Sequence, residues 1–452
     1  MRHRSIYRLT LIAAIVTFSF AAPQTGDTRI PDFQPDFGAC STPVTAAEEK
    51  QLLSDQRRYE RLSLTLQSKA EPAELELHQT QAKLLHILER QECKRLASLS
   101  DTVIRGPAAT KPSFVELPVG YATDRLIDPQ QAKAARKDFH RLYSGALDPD
   151  FKDFSYGTVK VTIPTQRKPG ELNLPNSWQF VGQPDPERFF VLRDISVTNR
   201  DRFFEQINAL DPGGENSLLL FVHGFNVTFA DAAMRTAQLA HDPKFNGKVM
   251  TYSWPSVGNV ESYWQDEDSS RISSPRFRKL LADLLKTRVK RIYIVAHSMG
   301  TRIVIPAVSS LAAEGTDVSK ISQLMLAAAD FNVIEFKDLA STFQSLQAKG
   351  THVTIYAASN DFALQASRRV HSYRRLGEST PKLNVFPSLD SVDASAAAPM
   401  KRAYGHSYVC DSAQVIGDMQ DLILKGLKPV ERGLLPVPGT LQAGWKIPAL
   451  RQ

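Results

Sequence analysis

Cysteine is scarce in this chain, and its scarcity excludes some classes of protein. Only three cysteines occur among 452 residues, at Cys40, Cys93 and Cys410. So small a number excludes a disulfide-rich scaffold, and the sequence also lacks the His-x-His and Cys-x-x-Cys spacings that bind metals. The odd count leaves at least one cysteine unpaired, and a helical hairpin could bring Cys40 and Cys93 together as a disulfide in an oxidising compartment. We interpret Cys410 as a small buried hydrophobe rather than a free thiol near the functional site.

Long runs of lysine and arginine and internal repeats are also missing, and their absence excludes further classes of protein. The formal net charge is +7, but the basic residues are spread along the chain without interleaved aromatics, which excludes nucleic-acid binding. What remains is a composition with 42% hydrophobic and 23% charged residues, which is typical of a soluble globular protein. The length exceeds what one compact domain usually needs.

The first residues have the pattern of a secretory signal. Three arginines precede an apolar run from Leu9 to Ala22, which is too short to span a membrane comfortably. The segment Ser19-Phe20-Ala21 offers small residues at the spacing of a cleavage site. The sequence therefore predicts a signal peptide over 1–21 and an exported protein, either periplasmic or secreted. The alternative is an uncleaved amphipathic anchor.

Composition divides the rest of the chain into four parts. Residues 22–43 are rich in Pro, Gly, Thr and Asp and are interpreted as a linker. Residues 44–99 carry leucines at helical spacing among many charged residues, which predicts a helical hairpin or short coiled coil. We expect this arm to be a lid or brace on the main domain, or a contact for a homo-oligomer or an envelope partner. Residues 114–427 have an α/β pattern, and 428–452 form a Pro-rich tail that we expect to wrap the surface or to be mobile.

The α/β region alternates apolar runs with helical stretches. Eight strands are predicted, at Val115–Tyr121, Gly157–Pro164, Phe189–Val197, Ser217–Val222, Lys248–Ser253, Arg291–Ala296, Gln323–Ala328 and His352–Ala357. Five helices are predicted, at Ala230–His241, Ser274–Lys286, Thr301–Ala313, Phe336–Ala348 and Ala413–Leu424. Strands that are apolar throughout and alternate with helices indicate a mostly parallel sheet covered on both faces.

One short motif carries the strongest indication of chemistry. The strand ending at Ala296 leads into Ala296-His-Ser-Met-Gly300, and a helix begins at Thr301. Strand, tight turn and helix in this order form a nucleophile elbow, which lifts the hydroxyl of Ser298 above the end of the sheet. The sequence therefore predicts Ser298 as a nucleophile.

An acid and a histidine must follow the serine in this arrangement. Asp361 comes just after the strand that ends at Ala357, and it is the acid that we favour over Asp330, which follows the preceding strand. His406 lies after both aspartates in a loop beside a glycine, from which an imidazole can reach serine and acid. We prefer it to the two other histidines after Ser298, His352 and His371.

Donors for an oxyanion are expected from two backbone amides. One is the amide of Met299, directly after the serine, and the other is that of Phe225 in the loop His223-Gly-Phe-Asn226. Trp254 and Tyr263 follow the next strand and are candidates for lining a substrate pocket. Four basic residues are interpreted as a solvated face, with an anionic-substrate site as the alternative: Arg368, Arg369, Arg374 and Arg375.

These motifs together resemble a bacterial family of α/β hydrolases of unassigned substrate, known as esterase/lipase-superfamily enzymes. The resemblance covers about residues 115–425 and rests on motifs that occur in one order, namely Tyr121-Ala-Thr-Asp-Arg125, Leu220-Phe-Val-His-Gly-Phe-Asn226, Tyr252-Ser-Trp-Pro-Ser256, Ala296-His-Ser-Met-Gly300, Tyr356-x-x-Ser-Asn-Asp361 and Gly405-His-Ser-Tyr408. It implies the α/β-hydrolase fold and a triad of Ser298, Asp361 and His406. It implies no particular substrate.

The function expected from the sequence is a serine hydrolase that cleaves carboxylic esters, of esterase or lipase type. Such an enzyme needs no metal and no organic cofactor, and its partner is a small-molecule or lipid ester. The alternative is a non-catalytic scaffold or binding module with the same fold, whose working part is the helical arm at 44–99.

Overall fold

The computed structural model describes seven stretches of the chain, residues 113–127, 142–174, 184–209, 216–260, 262–397, 406–440 and 443–449. The predicted signal, linker and helical arm lie outside the described residues. Everything described belongs to one unit, residues 112–452. Within these stretches, no helix combines the length and apolar character needed to cross a membrane.

Thirteen strands are described along the chain. They are β1 (Phe114–Thr123), β2 (Arg125–Ile127), β3 (Tyr143–Leu147), β4 (Ser155–Pro164), β5 (Val191–Thr198), β6 (Ser217–Val222), β7 (Lys248–Tyr252), β8 (Arg291–His297), β9 (Ile321–Ala327), β10 (His352–Ala357), β11 (Asp390–Asp393), β12 (Leu435–Pro436) and β13 (Gly444–Lys446). Eleven of them form one sheet in the order β12-β13-β11-β10-β9-β8-β6-β7-β1-β4-β5, and β2 pairs with β3.

The centre of the sheet is parallel and its margins are antiparallel. All neighbours from β13 to β1 run in parallel, whereas β4, β5 and β12 pair antiparallel with their neighbours. Parallel strands end at the same edge of a sheet, so residues that follow β6, β8, β9 and β10 meet there. The expected mostly parallel sheet is confirmed.

Eight α-helices are described, and most of them pack on the two faces of the sheet. They are α1 (Arg200–Asn208), α2 (Phe229–His241), α3 (Tyr263–Leu285), α4 (Thr301–Ala313), α5 (Val333–Ala348), α6 (Phe362–His371), α7 (Tyr408–Asp411) and α8 (Ala413–Gln420). A short π-helical segment, Asp421–Lys425, follows α8. Buried residues of α1, α3, α4 and α5 share one apolar cluster, and those of α2, α7 and α8 share another.

The strand β6 shows why its sequence is apolar at every position after Ser217. Leu218, Leu220 and Val222 belong to the cluster on one face of the sheet, and Leu219 and Phe221 belong to the cluster on the other. Because successive side chains of a strand point to opposite faces, a strand covered on both faces is apolar throughout. The predicted bounds of β6, β10 and α4 agree with the structure.

Two predictions about the less apolar segments were wrong. The helix predicted from Ser274 begins at Tyr263, and its added turns bury serines such as Ser270 and Ser273 against the domain, so no apolar periodicity marks them. The tail beyond residue 427 contributes β12 and β13 to the main sheet, with Trp445 buried, rather than only wrapping the surface. These strands are short and flanked by prolines, which hides them in the sequence.

Candidate active site

The turn between β8 and α4 is sharply bent around Ser298. A single 3₁₀ turn, Ser298–Gly300, connects the two elements, and Ser298 has a φ of +53°. A left-handed conformation costs a residue other than glycine about 1–3 kcal/mol, and such strain occurs mainly at functional sites. A Cβ at Gly300 would lie 2.5 Å from the carbonyl oxygen of Val222, so glycine is required for this close approach. The turn has the form of a nucleophile elbow.

The three residues predicted as a triad are in direct contact. The hydroxyl of Ser298 is 2.7 Å from Nε2 of His406, and Nδ1 of His406 is 2.8 Å from the carboxylate of Asp361. A carboxylate only accepts, so Nδ1–H donates to Asp361, and neutral Nε2 is left to accept from the serine hydroxyl. Asp361 also caps α6, accepting from the backbone N–H of Leu364 at 3.0 Å.

The surroundings of His406 favour its protonated form. Burial alone would lower the pKa of the imidazole, but the charge and hydrogen bond of Asp361 outweigh burial, and the pKa is raised above its ordinary value of 6.5. A neighbouring histidine, His297, is neutral because burial, followed by the proximity of His406, lowers its pKa to about 3. The Nε2 of His297 is 3.2 Å from the carbonyl oxygen of His406, so Nε2–H donates to it and helps to hold the His406 loop.

Asp330, the alternative acid, contacts arginines instead of His406. Arg302 donates to one carboxylate oxygen at 2.9 Å, and Ser367 and Arg375 contact the other at 2.5 and 3.3 Å. Burial would raise the pKa of Asp330, but the two arginines outweigh it and lower the pKa to about 2. The backbone N–H of Asp330 donates to the carbonyl oxygen of Ser298 at 3.2 Å. Asp330 therefore stabilises the elbow through its backbone N–H.

The loop after β6 lies directly against the serine. A Cβ at Gly224 would be 2.8 Å from the Cβ of Ser298, which leaves room only for glycine. The next residue but one, Asn226, has a φ of +58°, and its backbone N–H donates to Asp266 at 3.2 Å. This geometry brings the loop that carries Phe225 beside the turn that carries Met299, the two residues predicted as oxyanion donors.

The two candidates for substrate contact are largely buried. Trp254 is 0% exposed, its ring stacks on His223 at 5.0 Å between centroids, and its Nε1–H donates to the His223 carbonyl at 2.7 Å. The prediction that Trp254 lines a pocket was wrong, because its side chain lies beneath the loop. Tyr263 is 8% exposed, and its hydroxyl contacts Ser367 and Arg302, both at 3.3 Å.

The basic stretch after α6 is not simply a solvated face. Arg375 is 3% exposed and paired with Asp330, Arg368 pairs with Glu378 at 3.3 Å, and Arg374 donates to backbone carbonyls of residues 378–382. The interpretation of these side chains as a solvated face was therefore wrong for Arg375. Cys410, the described cysteine, is buried, and burial raises the pKa of its thiol to about 12.

A groove of about 780 Å³ lies between α3 and α4, beside the Asp330 cluster. His371 lines it, with Nε2 2.7 Å from Glu267, and the same carboxylate oxygen accepts from Arg302 at 2.5 Å. Arg278, farther along the groove, pairs with Glu314 at 2.8 Å. Because Arg278 and Arg302 already have acidic partners, the groove shows no surplus of positive charge for an anionic ligand.

Several residues that hold the site together were missed from the sequence. Arg125 donates to the loop after β6 and to the segment after β7, and Asp266 accepts from backbone amides on both of these segments. Arg302 and Glu267 belong to the cluster around Asp330. In the sequence, Arg125 was noted only as the last residue of the motif Tyr121-Ala-Thr-Asp-Arg125, without a role of its own.

Comparison with known proteins agrees with the fold. Residues 200–419 match the model of a family described as "Alpha/beta hydrolase of unknown function (DUF900)". This segment has the α/β-hydrolase fold and is similar to that family. The match to the hydrolase domain begins at α1 and ends within α8, so it includes the three residues of the predicted triad. The predicted resemblance to an α/β-hydrolase family of unassigned substrate is confirmed.

The other two comparisons found no related protein. Neither the curated proteins nor the solved structures include a significant match to the chain. The substrate must therefore be argued from the site itself.

Proposed function

We propose that this hydrolase is a serine hydrolase that cleaves carboxylic esters through an acyl-enzyme on Ser298. The observation that carries the proposal is the continuous chain of contacts from the Ser298 hydroxyl to His406 Nε2, 2.7 Å, and from His406 Nδ1 to Asp361, 2.8 Å. A nucleophile, a base that it contacts and a carboxylate that orients the base are the three parts such chemistry needs.

In the first half of the reaction, Ser298 Oγ bonds to the ester carbonyl carbon while its proton moves to His406 Nε2. The negative oxygen of the tetrahedral intermediate accepts from the backbone N–H groups of Phe225 and Met299. His406 then gives its proton to the alcohol oxygen as the carbon–oxygen bond breaks. Asp361 keeps the imidazole in the required tautomer and stabilises the imidazolium that forms.

In the second half, water attacks the acyl carbon and gives a proton to His406. The bond to Ser298 Oγ breaks, the proton returns to Oγ, and the carboxylic acid leaves. Thioesters and amides differ from esters in the leaving group, which the same acid protonates, so the ester preference is the part of the proposal that substrates must test.

The experiment is a set of p-nitrophenyl esters of increasing acyl length, compared with a p-nitroanilide and a thioester of the same acyl group. We expect the esters to have the highest kcat/KM and Ser298→Ala to lose about 10⁶-fold in kcat. Ser341→Ala, at an exposed position of α5, is the matched control and should be unchanged. A folded wild-type protein that turns over none of these compounds would favour the scaffold alternative.

Export and assembly are separate proposals. We propose that the chain is exported to the periplasm or secreted, on the sequence pattern of residues 1–21, and that residues 44–99 mediate contact with a second copy or an envelope partner. Fractionation with sequencing of the mature N-terminus tests the first. Light scattering of the full mature chain tests the second.

A further inference from the structure

Arg125 is a buried arginine whose five N–H donors are all used. It is 2% exposed, and its acceptors come from three separate segments: the Ser253 hydroxyl at 2.9 Å, the carbonyls of Ser144, Ser256 and Val227 at 3.2, 2.7 and 2.8 Å, and Nε2 of His223 at 3.3 Å. A guanidinium carries five N–H groups in a rigid fork, so it can hold several segments in one geometry. Arg125 lies outside the segment that matches the hydrolase family.

Nearby carboxylates offset part of the free energy that it costs to bury the charge of Arg125. Burial lowers the pKa of Arg125 to about 10, and the charges of Asp266 and Asp124 act in the opposite direction. Arg125 is therefore charged at neutral pH. Asp266 in turn accepts from the backbone N–H of Asn226. The loop after β6 is thus held by a cation that contacts His223 and Val227 and by an anion that contacts Asn226.

The protonation of His223 follows from its neighbours. Nδ1 is 2.8 Å from the carbonyl oxygen of Gly224, which only accepts, so Nδ1 carries the proton. Nε2 faces Arg125, which only donates, so Nε2 carries a lone pair. The carbonyl oxygen of Trp254 is also 3.1 Å from Nε2 and could accept a hydrogen bond from the opposite tautomer, which has its proton on Nε2. That tautomer would place the proton against the N–H groups of the Arg125 guanidinium. Burial, and then Arg125, lowers the pKa of His223 to about 3, so the ring is neutral.

The carbonyl that His223 holds belongs to the peptide group of the expected oxyanion donor. In a trans peptide the C=O and the N–H point in opposite directions. A Gly224 carbonyl that is held towards the imidazole therefore directs the N–H of Phe225 to the other side. Gly224 itself lies against Ser298, with a built Cβ 2.8 Å from the serine Cβ.

We propose that Arg125 is a positioning residue for the oxyanion hole: it fixes the tautomer of His223, whose Nδ1–H holds the Gly224 carbonyl and so aims the Phe225 N–H. The inference rests on the proposed function for its effect on rate, but the tautomer of His223 is independent of it. Loss of one oxyanion donor costs an acyl-transfer enzyme about 10²–10³-fold in kcat. A donor that is present but points in the wrong direction should lower kcat by less than the loss of that donor would.

The first experiment compares kinetics of Arg125→Met, Arg125→Lys and the control Arg200→Met, which removes a half-exposed arginine paired with Asp283. We expect Arg125→Met to lose about 10–100-fold in kcat with KM within about threefold. Its affinity for a trifluoromethyl ketone, which forms an oxyanion on Ser298, should fall in parallel. Arg125→Lys should recover part of the loss, and Arg200→Met should match wild type.

The second experiment reads the tautomer directly and needs no turnover. In ¹⁵N-histidine-labelled full-length protein, the signal of His223, assigned by its loss in His223→Gln, should show a protonated Nδ1 and an unprotonated Nε2. In Arg125→Met, Nε2 should gain proton occupancy, and in Arg125→Lys, whose ammonium also only donates but is a poorer match to the site, it should gain less. A proton on Nε2 in the wild type, or folded Arg125 variants with unchanged kcat and ketone affinity, would overturn the inference. Wild-type protein without ester turnover but with the expected tautomer would contradict the proposed function alone.

Discussion

Two buried aspartates follow neighbouring parallel strands, and they have different partners. Asp361 follows β10 and contacts the imidazole of His406, whereas Asp330 follows β9 and contacts the guanidinium groups of Arg302 and Arg375. Both are at most 3% exposed. A position at the end of a strand brings a carboxylate to the site in both cases. Its partner, a titratable imidazole or a permanently charged guanidinium, then determines the role of that carboxylate. An imidazole can exchange protons near neutral pH, and a guanidinium cannot.

The largest expected difference is in the rate after removal of each charge. Asp361→Asn should lower kcat about 10⁴-fold, because an amide stabilises the His406 tautomer with its proton on Nε2, which cannot accept from Ser298. Steady-state kinetics of the purified variant checks this. Asp317→Asn changes an exposed aspartate beyond α4 and is the control. Loss of less than tenfold in Asp361→Asn would show that the contact with His406 is dispensable.

The second expected difference is in stability. Asp330→Asn leaves Arg302 and Arg375 without their shared carboxylate, which should lower the free energy of unfolding by about 3 kcal/mol. The folded variant should keep kcat within about tenfold, because its side chain does not contact His406. Urea unfolding and kinetics on the same preparation separate these effects. A 10⁴-fold loss of kcat in a stable Asp330→Asn protein would reverse the assignment of the two acids.

Acid sensitivity gives an independent check on the same variant. The pKa of Asp330 is lowered from 3.8 to about 2, so its stabilisation is present above about pH 4 and is lost as the pH falls towards 2. Wild-type protein should lose this part of its unfolding free energy in that range. Asp330→Asn should lack that loss.

The third prediction concerns the pH dependence of activity. The pKa of His406 is raised above 6.5 in the folded protein, and the base must be neutral to accept a proton, so kcat/KM should rise with pH through an inflection above 6.5. In Asp361→Asn the opposing effect of burial remains, and the inflection of the residual activity should move to lower pH. A profile that is the same in both proteins would contradict the role of Asp361.

The His406–Asp361 pair and Asp330 both stabilise the folded protein, but their contributions depend on pH in opposite directions. Because the folded pKa of His406 is raised, this stabilisation is present below about pH 6.5 and is lost as the pH rises through the folded pKa. Wild type and Asp361→Asn should therefore differ less in unfolding free energy at alkaline pH than near pH 6.

The smallest expected effect belongs to Tyr263, at the margin of the Asp330 cluster. Tyr263→Phe removes a hydroxyl that contacts Ser367 and Arg302, which should cost about 1 kcal/mol of stability. Values of KM across the ester series should stay within about twofold, because the ring is almost buried. A KM that changes with acyl length would instead assign Tyr263 to the substrate pocket.

The central strands and the elbow could be predicted because local pattern determines them. β6 is apolar after Ser217, and β10 is apolar except at His352 and Thr354. The turn at Ser298 needs small neighbours that the sequence displays. The order of serine, acid and histidine then limited the acid to Asp361 or Asp330 and favoured His406 as the base, and the structure brings Asp361 and His406 into contact.

Residues whose role depends on distant partners could not be predicted in this way. Arg125 contacts side chains and carbonyls as far as 131 positions along the chain, and nothing in its local sequence indicates them. Trp254 was misjudged because a position after a strand does not say whether a ring lies above or beneath the next loop. The strand β11, with aspartate at both ends, lacks the apolar pattern that marks the central strands.

The central claim is that Ser298 is an activated nucleophile, and covalent labelling tests it most directly. The purified mature protein is treated with a fluorophosphonate, and the adduct is located by mass spectrometry, with Ser298→Ala and Ser341→Ala treated in parallel. We expect one adduct on Ser298 in the wild type and in Ser341→Ala, none in Ser298→Ala, and much slower labelling in Asp361→Asn. A folded wild-type protein that stays unlabelled, or that is labelled equally in Ser298→Ala, would contradict this claim.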